Sequence, residues 1–129
     1  MKQFLLHTPA EGFVDITARV REIVRDSHIQ QGMCQVFVPH TTAGVTINEN
    51  ADPAVVSDML AALGSMVPEL SYRHAEGNSP AHVKSSLVGC SLTLPVEAND
   101  LALGMWQAIY FCEFDGPRQR KVWVQVMGG

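Results

Sequence analysis

The sequence lacks several familiar signatures. It has no CxxC pair, no HExxH, no DDxxD-like carboxylate cluster and no long apolar run. A membrane span needs about 18 consecutive apolar residues, and nothing approaches that length. The start, "MKQFLLHTP", has one Lys and a three-residue apolar run, too short for a signal-peptide core. Basic residues are scarce: nine Lys and Arg stand against thirteen Asp and Glu, a net charge of -4. That balance argues against a general nucleic-acid binder. Arg118, Arg120 and Lys121 nevertheless fall together and leave room for a local anion site. Cysteines number only three, at 34, 90 and 112, each beside apolar strand-like residues. Their odd number and lack of basic neighbours suggest reduced, mostly buried thiols in a cytoplasmic protein. No repeat, low-complexity tract or linker divides the chain, so residues 1–129 read as one domain. With 47% hydrophobic and 17% charged residues, that domain should fold around a core.

What is present is a series of strand and helix signals. "KQFLLH" reads as a strand. "DITARVREIVRDSHIQQG" reads as a helix with Thr17 as cap, a Val20, Ile23 and Val24 stripe, and Gly32 as stop. "MCQVFV" and "GVTIN" read as strands. Asp52 then caps a helix with Pro53 at its first position and a buried face of Val55, Val56, Met59, Leu60 and Leu63. Residues 68 to 79 form a polar loop of a length that is often functional. Ser79 and Pro80 open a short helix. "CSLTLPV", "LALGMWQAIYFCEF" and "QRKVWVQVM" read as strands, the last two joined by a "DGPR" turn. The order predicts an α+β fold, a single compact domain with a largely antiparallel β-sheet and two or three helices.

Histidines stand at 7, 28, 40, 74 and 82. His7 at a strand end and His28 in a last helical turn suit structural or surface roles. His40 follows a strand, His74 lies in the polar loop and His82 falls near a helix start. There the helix dipole favours the neutral imidazole that a metal requires. Three imidazoles with one open position match a catalytic zinc pattern. Glu49, Glu76 and Asn78 are groups that could orient them. Loop-end histidines in water satisfy the same spacing. Asn48 and Glu49 equally suit the capping of turn backbone groups.

"VPHTTAGVTINENADPAVVSDM", "YRHAEGNSPAHVKSSLVG", "SLTLPV" and "LGMWQAIYFCEFDGPRQRKVWVQVMG" together resemble the YjbQ family of small proteins. The resemblance runs from about Gly12 to Gly128. It implies an α+β fold, a compact homotrimer and thiamine-phosphate synthase activity. That reaction joins a pyrimidine methyl diphosphate to a thiazole phosphate and releases pyrophosphate. The family's recurrent histidines match His40, His74 and His82, beside which it is associated with a bound metal. Pro80 departs from the family's usual spacer and could shift the start of the helix carrying His82.

The chemistry and the resemblance pull apart. Diphosphate departure usually uses Mg²⁺ on carboxylates with Arg or Lys clamps, whereas three histidines suit Zn²⁺. Glu49, Asp52, Glu76 and Asp115 are scattered in sequence. The expected site therefore has His40, His74 and His82 as ligands of a divalent ion, most simply zinc, with Mg²⁺ serving a diphosphate substrate. Glu49 and Glu76 are the candidate acid or base groups. Thr41, Thr42, Asn48, Ser85, Arg118 and Arg120 are candidate ligands for a phosphorylated small molecule. A solvated edge-strand role for the basic run is the alternative. Two other functions stay open: a non-catalytic metal- or metabolite-binding module, and a metal-assisted phosphate-ester hydrolase. The apolar residues on both faces of "LALGMWQAIYFCEF" suggest a subunit interface, closing a cyclic trimer. Its sites would be clefts between subunits, with Arg118 or Arg120 facing a neighbour's metal.

Overall fold

Alternation in "QFLLH" buries Phe4 and Leu6 and turns Leu5 outward. The computed structural model describes residues 1–129 and begins with this strand, β1 (Lys2–His7). There follow β2 (Gly12–Asp15), α1 (Thr17–Asp26), β3 (Gln31–Phe37), β4 (Ala43–Glu49), α2 (Pro53–Met66) and α3 (Ser79–Val88). The chain closes with β5 (Ser91–Glu97), β6 (Asp100–Leu101), β7 (Gln107–Glu113) and β8 (Gln119–Gly128). The fold is the expected α+β domain with three helices. Its strands form two sheets, ordered β1-β8-β3-β5-β6 and β2-β7-β4. Every pairing is antiparallel.

The main core lies between the sheets. Phe4, Val36, Leu94 and Val124 from the larger sheet meet Val45, Ile109 and Phe111 from the smaller one. Val20 and Val24 of α1 complete it. The smaller sheet buries its other face under the remaining helices. Ala108, Tyr110 and Cys112 pack there with Ala81 of α3, and Val56 and Leu63 of α2 rest against them. β7 is thus a wall shared by two apolar clusters. Both of its faces are covered within one chain, so they do not call for a second subunit. Uncovered apolar surface lies elsewhere. No residue of α2 is buried, and its predicted face, Val55, Val56, Met59, Leu60 and Leu63, is only half-buried.

Several local expectations change. α1 stops at Asp26, and His28 lies beyond it with φ 58 rather than in its last turn. Thr17 is the first helical residue and not the cap. Asp15 accepts from the Thr17 N–H and hydroxyl, while the Thr17 hydroxyl oxygen accepts from the Ile109 N–H. Gly32 stops no helix. It sits in β3 against β8, where a Cβ would lie 1.9 Å from the Met127 carbonyl oxygen. Close approach, not a helix end, requires the glycine. Asp52 and Pro53 open α2 as predicted, with Asp52 accepting from the Ala54 N–H. For α3 the cap is Asn78, with Ser79 and Pro80 already helical. The long predicted strand from Leu101 breaks: Met105 and Trp106 are exposed in a turn before β7. Cys34 and Cys112 are buried, but Cys90 is exposed.

Candidate functional site

The end of β3 sets the position of His40. In the β3–β8 register Phe37 faces Trp123, and two residues further Pro39 would face Lys121. Proline cannot continue a ladder. The Lys121 N–H is taken instead by the His40 ring, whose Nε2 accepts it at 2.9 Å. Burial, and then the Arg120 guanidinium, hold the His40 pKa below the ordinary histidine value. A neutral ring is the form that can accept this hydrogen bond.

α3 forms the facing wall. His82, Ser85, Ser86 and Gly89 follow the i, i+3, i+4, i+7 spacing of one helix face. The helix sits directly on β4: a Cβ on Gly44 would lie 2.6 Å from the Gly89 carbonyl oxygen. The same carbonyl accepts the Val45 N–H, and the Ser85 hydroxyl donates to the Ala43 carbonyl at 2.6 Å. Between this face and His40–Thr41 lies an open cleft of about 490 Å³, with Cys90 also on its lining. The sequence groups Cys90 with the buried thiols, but it is exposed. Gly89, with φ 94, ends the helix and turns the thiol out of the core.

His74 approaches His82 edge to face, with ring centroids 5.4 Å apart. Its Nε2 lies 3.9 Å from the Glu76 carboxylate. With Zn–N near 2 Å, two imidazoles on one tetrahedral ion would have centroids roughly 5 Å apart, so this pair fits half a metal centre. The third ligand does not fit, because the His40 Nε2 lone pair is committed to Lys121. The chain brings no group of three His, Cys, Asp or Glu side chains into a metal-holding arrangement. A closed three-histidine centre is therefore not formed within one chain.

Behind the cleft lies a buried ion pair. Arg120 donates from Nε and Nη2 to the two oxygens of Glu113, at 2.8 and 2.5 Å. Its Nη2 also donates to the Thr42 hydroxyl at 2.9 Å. Thr8 and the Asp115 N–H donate to the same carboxylate. Burial alone would raise the Glu113 pKa, but these bonds outweigh it and hold the carboxyl below its ordinary value. Arg120 and Thr42 thus brace the His40 loop from inside and do not face the cleft. Arg118 is also engaged within its own chain. It pairs with Asp115 at 3.0 Å, and Asp115 accepts from the Asn78 side chain at 2.8 Å. The "DGPR" turn and the His-bearing helix therefore meet in the same chain, despite their distance in sequence.

Glu49 and Asn48 stand apart. They lie at the far end of β4, roughly 20 Å from Ala43 at about 3.3 Å per residue. The Glu49 carbonyl accepts from the Tyr110 hydroxyl, and the Asn48 side chain accepts from the Glu49 N–H. Burial, then the Asp15 and Glu49 carboxylates, raise the Tyr110 pKa. Of the expected site residues, the structure brings His40, Thr41, His82 and Ser85 into one cleft. His74 and Glu76 adjoin it.

The family model for UPF0047 protein YjbQ-like matches residues 2–129. UPF0047 protein MJ1081 of Methanocaldococcus jannaschii is 48% identical over 92% of this chain and 86% of its own. UPF0047 protein YugU of Bacillus subtilis is 49% identical over 94% of this chain and 93% of its own. A crystal structure of a YjbQ/UPF0047 family protein from Clostridium acetobutylicum superposes with a TM-score of 0.95. It is 50% identical and covers 98% of this chain and 100% of its own. The chain belongs to the YjbQ-like UPF0047 family.

Proposed function

We propose that the His40–His82 cleft binds the phosphate end of a small phosphorylated metabolite, and that the protein is a transferase of the thiamine-phosphate synthase type. The observation that carries this reading is the meeting of imidazoles and hydroxyls in one open cleft. His40 and Thr41 lie on one side, with His82, Ser85 and Ser86 on the other. The Ser85 and Ser86 hydroxyls already give their protons to the Ala43 and His82 carbonyls, so the Thr41 hydroxyl and the ring N–H groups of the histidines are the donors for phosphate oxygens, and bonds to a charged acceptor are about twice as strong as neutral ones. In the reaction, the thiazole nitrogen attacks the methylene carbon of the pyrimidine diphosphate. A C–N bond forms, the C–O bond breaks, and pyrophosphate leaves with the electron pair. The ring nitrogen becomes cationic, so no proton has to depart. The chain's task is to orient two substrates and hold a growing negative charge. His82, edge-on to His74, is the group best placed to donate to the leaving group. No Arg or Lys side chain lines the cleft. Mg²⁺ arriving on the diphosphate would supply the remaining neutralisation.

The homotrimer belongs to the same proposal, supported by the half-exposed apolar face of α2. Three free thiols suit a cytoplasmic location. No helix is long and apolar enough to cross a membrane. Isothermal titration with pyrophosphate tests the cleft, and thiamine phosphate formation from the two precursors tests the reaction. His82→Gln is expected to weaken pyrophosphate binding about tenfold, or 1.4 kcal/mol. Unchanged binding in that variant would remove the cleft from the proposal. Binding without product would leave an anion-binding module.

A further inference from the structure

Pro68 to Gly77 form a strap between two fixed ends. At one end Val67 is buried, and at the other the Asn78 side chain donates to Asp115. Between them every hydrogen bond stays within the strap. The Tyr72 N–H donates to the Leu70 carbonyl, the Tyr72 hydroxyl to the Pro68 carbonyl and the Gly77 N–H to the His74 carbonyl. The strap meets the cleft through the His74 ring, which stands edge-on to His82. Its last joint, Gly77 at φ 74, has open space where a Cβ would stand. The strap also carries a cation without a partner. Five of the six arginines are hydrogen-bonded within the fold. Arg73 is exposed and has neither a hydrogen bond nor an ion pair. Its Cα lies about 3.8 Å from that of His74, whose ring meets the cleft. The cleft is short of exactly this charge, since neither Lys nor Arg lines it.

We propose that Arg73 is the phosphate-binding cation of the cleft, brought there when the strap turns about Gly77 and folds down onto the bound anion. A guanidinium matches two phosphate oxygens at once, which an imidazole N–H or a hydroxyl cannot do. Closing breaks no hydrogen bond between the strap and the rest of the fold. The anion therefore has only the ordering of the strap to offset, and its preference for the closed form sets the position. Closure also excludes water and strengthens the bonds from Thr41 and the histidines. The inference rests on the anion-cleft reading, and it names the charge that the cleft lacks.

The test measures pyrophosphate binding by calorimetry in magnesium-free buffer, so that no metal substitutes for the guanidinium. Wild type, Arg73→Gln, Arg73→Lys and His82→Gln are compared in the full chain. Arg73→Gln is expected to bind about tenfold more weakly and Arg73→Lys to recover part of the loss. Melting temperatures should match wild type, because Arg73 has no partner to lose. Trypsin reads the strap directly: saturating pyrophosphate should slow cleavage after Arg73 in the wild type, followed by mass. Undiminished affinity in Arg73→Gln, or unchanged cleavage after Arg73, overturns the closing strap and leaves His82-dependent binding in place. Loss of affinity in Arg73→Gln with none in His82→Gln puts the anion on the strap alone and overturns both readings. No binding by the wild type also overturns both.

Discussion

The backbone N–H of Lys121 ends on Nε2 of His40. A ladder donor left without a strand partner is satisfied by an imidazole, and that imidazole forms one wall of the cleft. The ring is therefore held as part of the sheet edge. Its protonation breaks a backbone hydrogen bond, which ties the charge of the cleft to the stability of the fold.

That link has a definite sign. The folded-state pKa of His40 is lowered from 6.5, so the unfolded chain takes up a proton first as the pH falls. The stabilising contribution is full above 6.5. It declines as the pH drops from 6.5 towards the folded-state value. Thermal unfolding followed from about pH 7.5 to about pH 5 is expected to show this decline. His40→Gln, whose amide oxygen can still accept the Lys121 N–H, is expected to flatten it.

Zinc titration separates His40 from its neighbours. The His74–His82 pair is the one histidine pair whose spacing fits a shared ion, so any zinc uptake by the purified protein is expected to be lost in His74→Ala and in His82→Ala. His40→Ala is expected to leave it within about twofold, because that ring already has a partner. Equal loss in all three variants, measured by calorimetry, would mean that His40 releases Lys121 to take up the ion.

Glu113→Gln leaves Arg120 charged and unpaired in the interior. Breaking a buried pair from one side costs about 3–5 kcal/mol, so the urea midpoint should fall substantially. Replacing both residues with apolar ones of similar size should recover part of the loss. In the wild-type protein the Glu113 contribution is present above 4.5, its ordinary value. It is lost as the pH falls through the lower folded-state value. Urea melts at stepped acidic pH check both points.

Arg118→Ala should be mild. The side chain is half-exposed and paired with Asp115 at the surface, a class of ion pair that contributes less than about 1 kcal/mol. Pyrophosphate affinity should change less than in His82→Gln. A larger effect would bring the guanidinium to the ligand and away from Asp115.

Much of the fold was legible because its signals are local. Asp52–Pro53 opens a helix by cap chemistry alone, and the alternation of β1 and β5 follows from one buried face. What misled was context. Gly32 looks like a helix stop, but the reason for it is a β8 carbonyl nearly a hundred residues away. The short β2 and β6 carry too few residues to show a period, and the turn at Met105–Trp106 contains no proline. In the site, the His40, His82 and Ser85 grouping was anticipated, partly through family resemblance. The burial of Arg120 was not, because its partner Glu113 sits in an apolar run that gives no sign of charge. Glu49 looked close to His40 because nine residues is a short distance in sequence. In an extended strand it is most of the domain.

One feature of the larger sheet bears on how the protein is made. β1 has a single neighbour, β8, the last strand in the chain, and β8 lies between β1 and β3. During synthesis β1 leaves the ribosome first and has no hydrogen-bonding partner until Gln119–Gly128 follows. At about 5–20 residues per second, that wait is on the order of ten seconds. The β3–β5–β6 portion can assemble meanwhile, but half of the core floor cannot. A nascent chain stalled before residue 119 would carry Phe4 and Leu6 on an unpaired strand, a natural target for a chaperone at the exit tunnel.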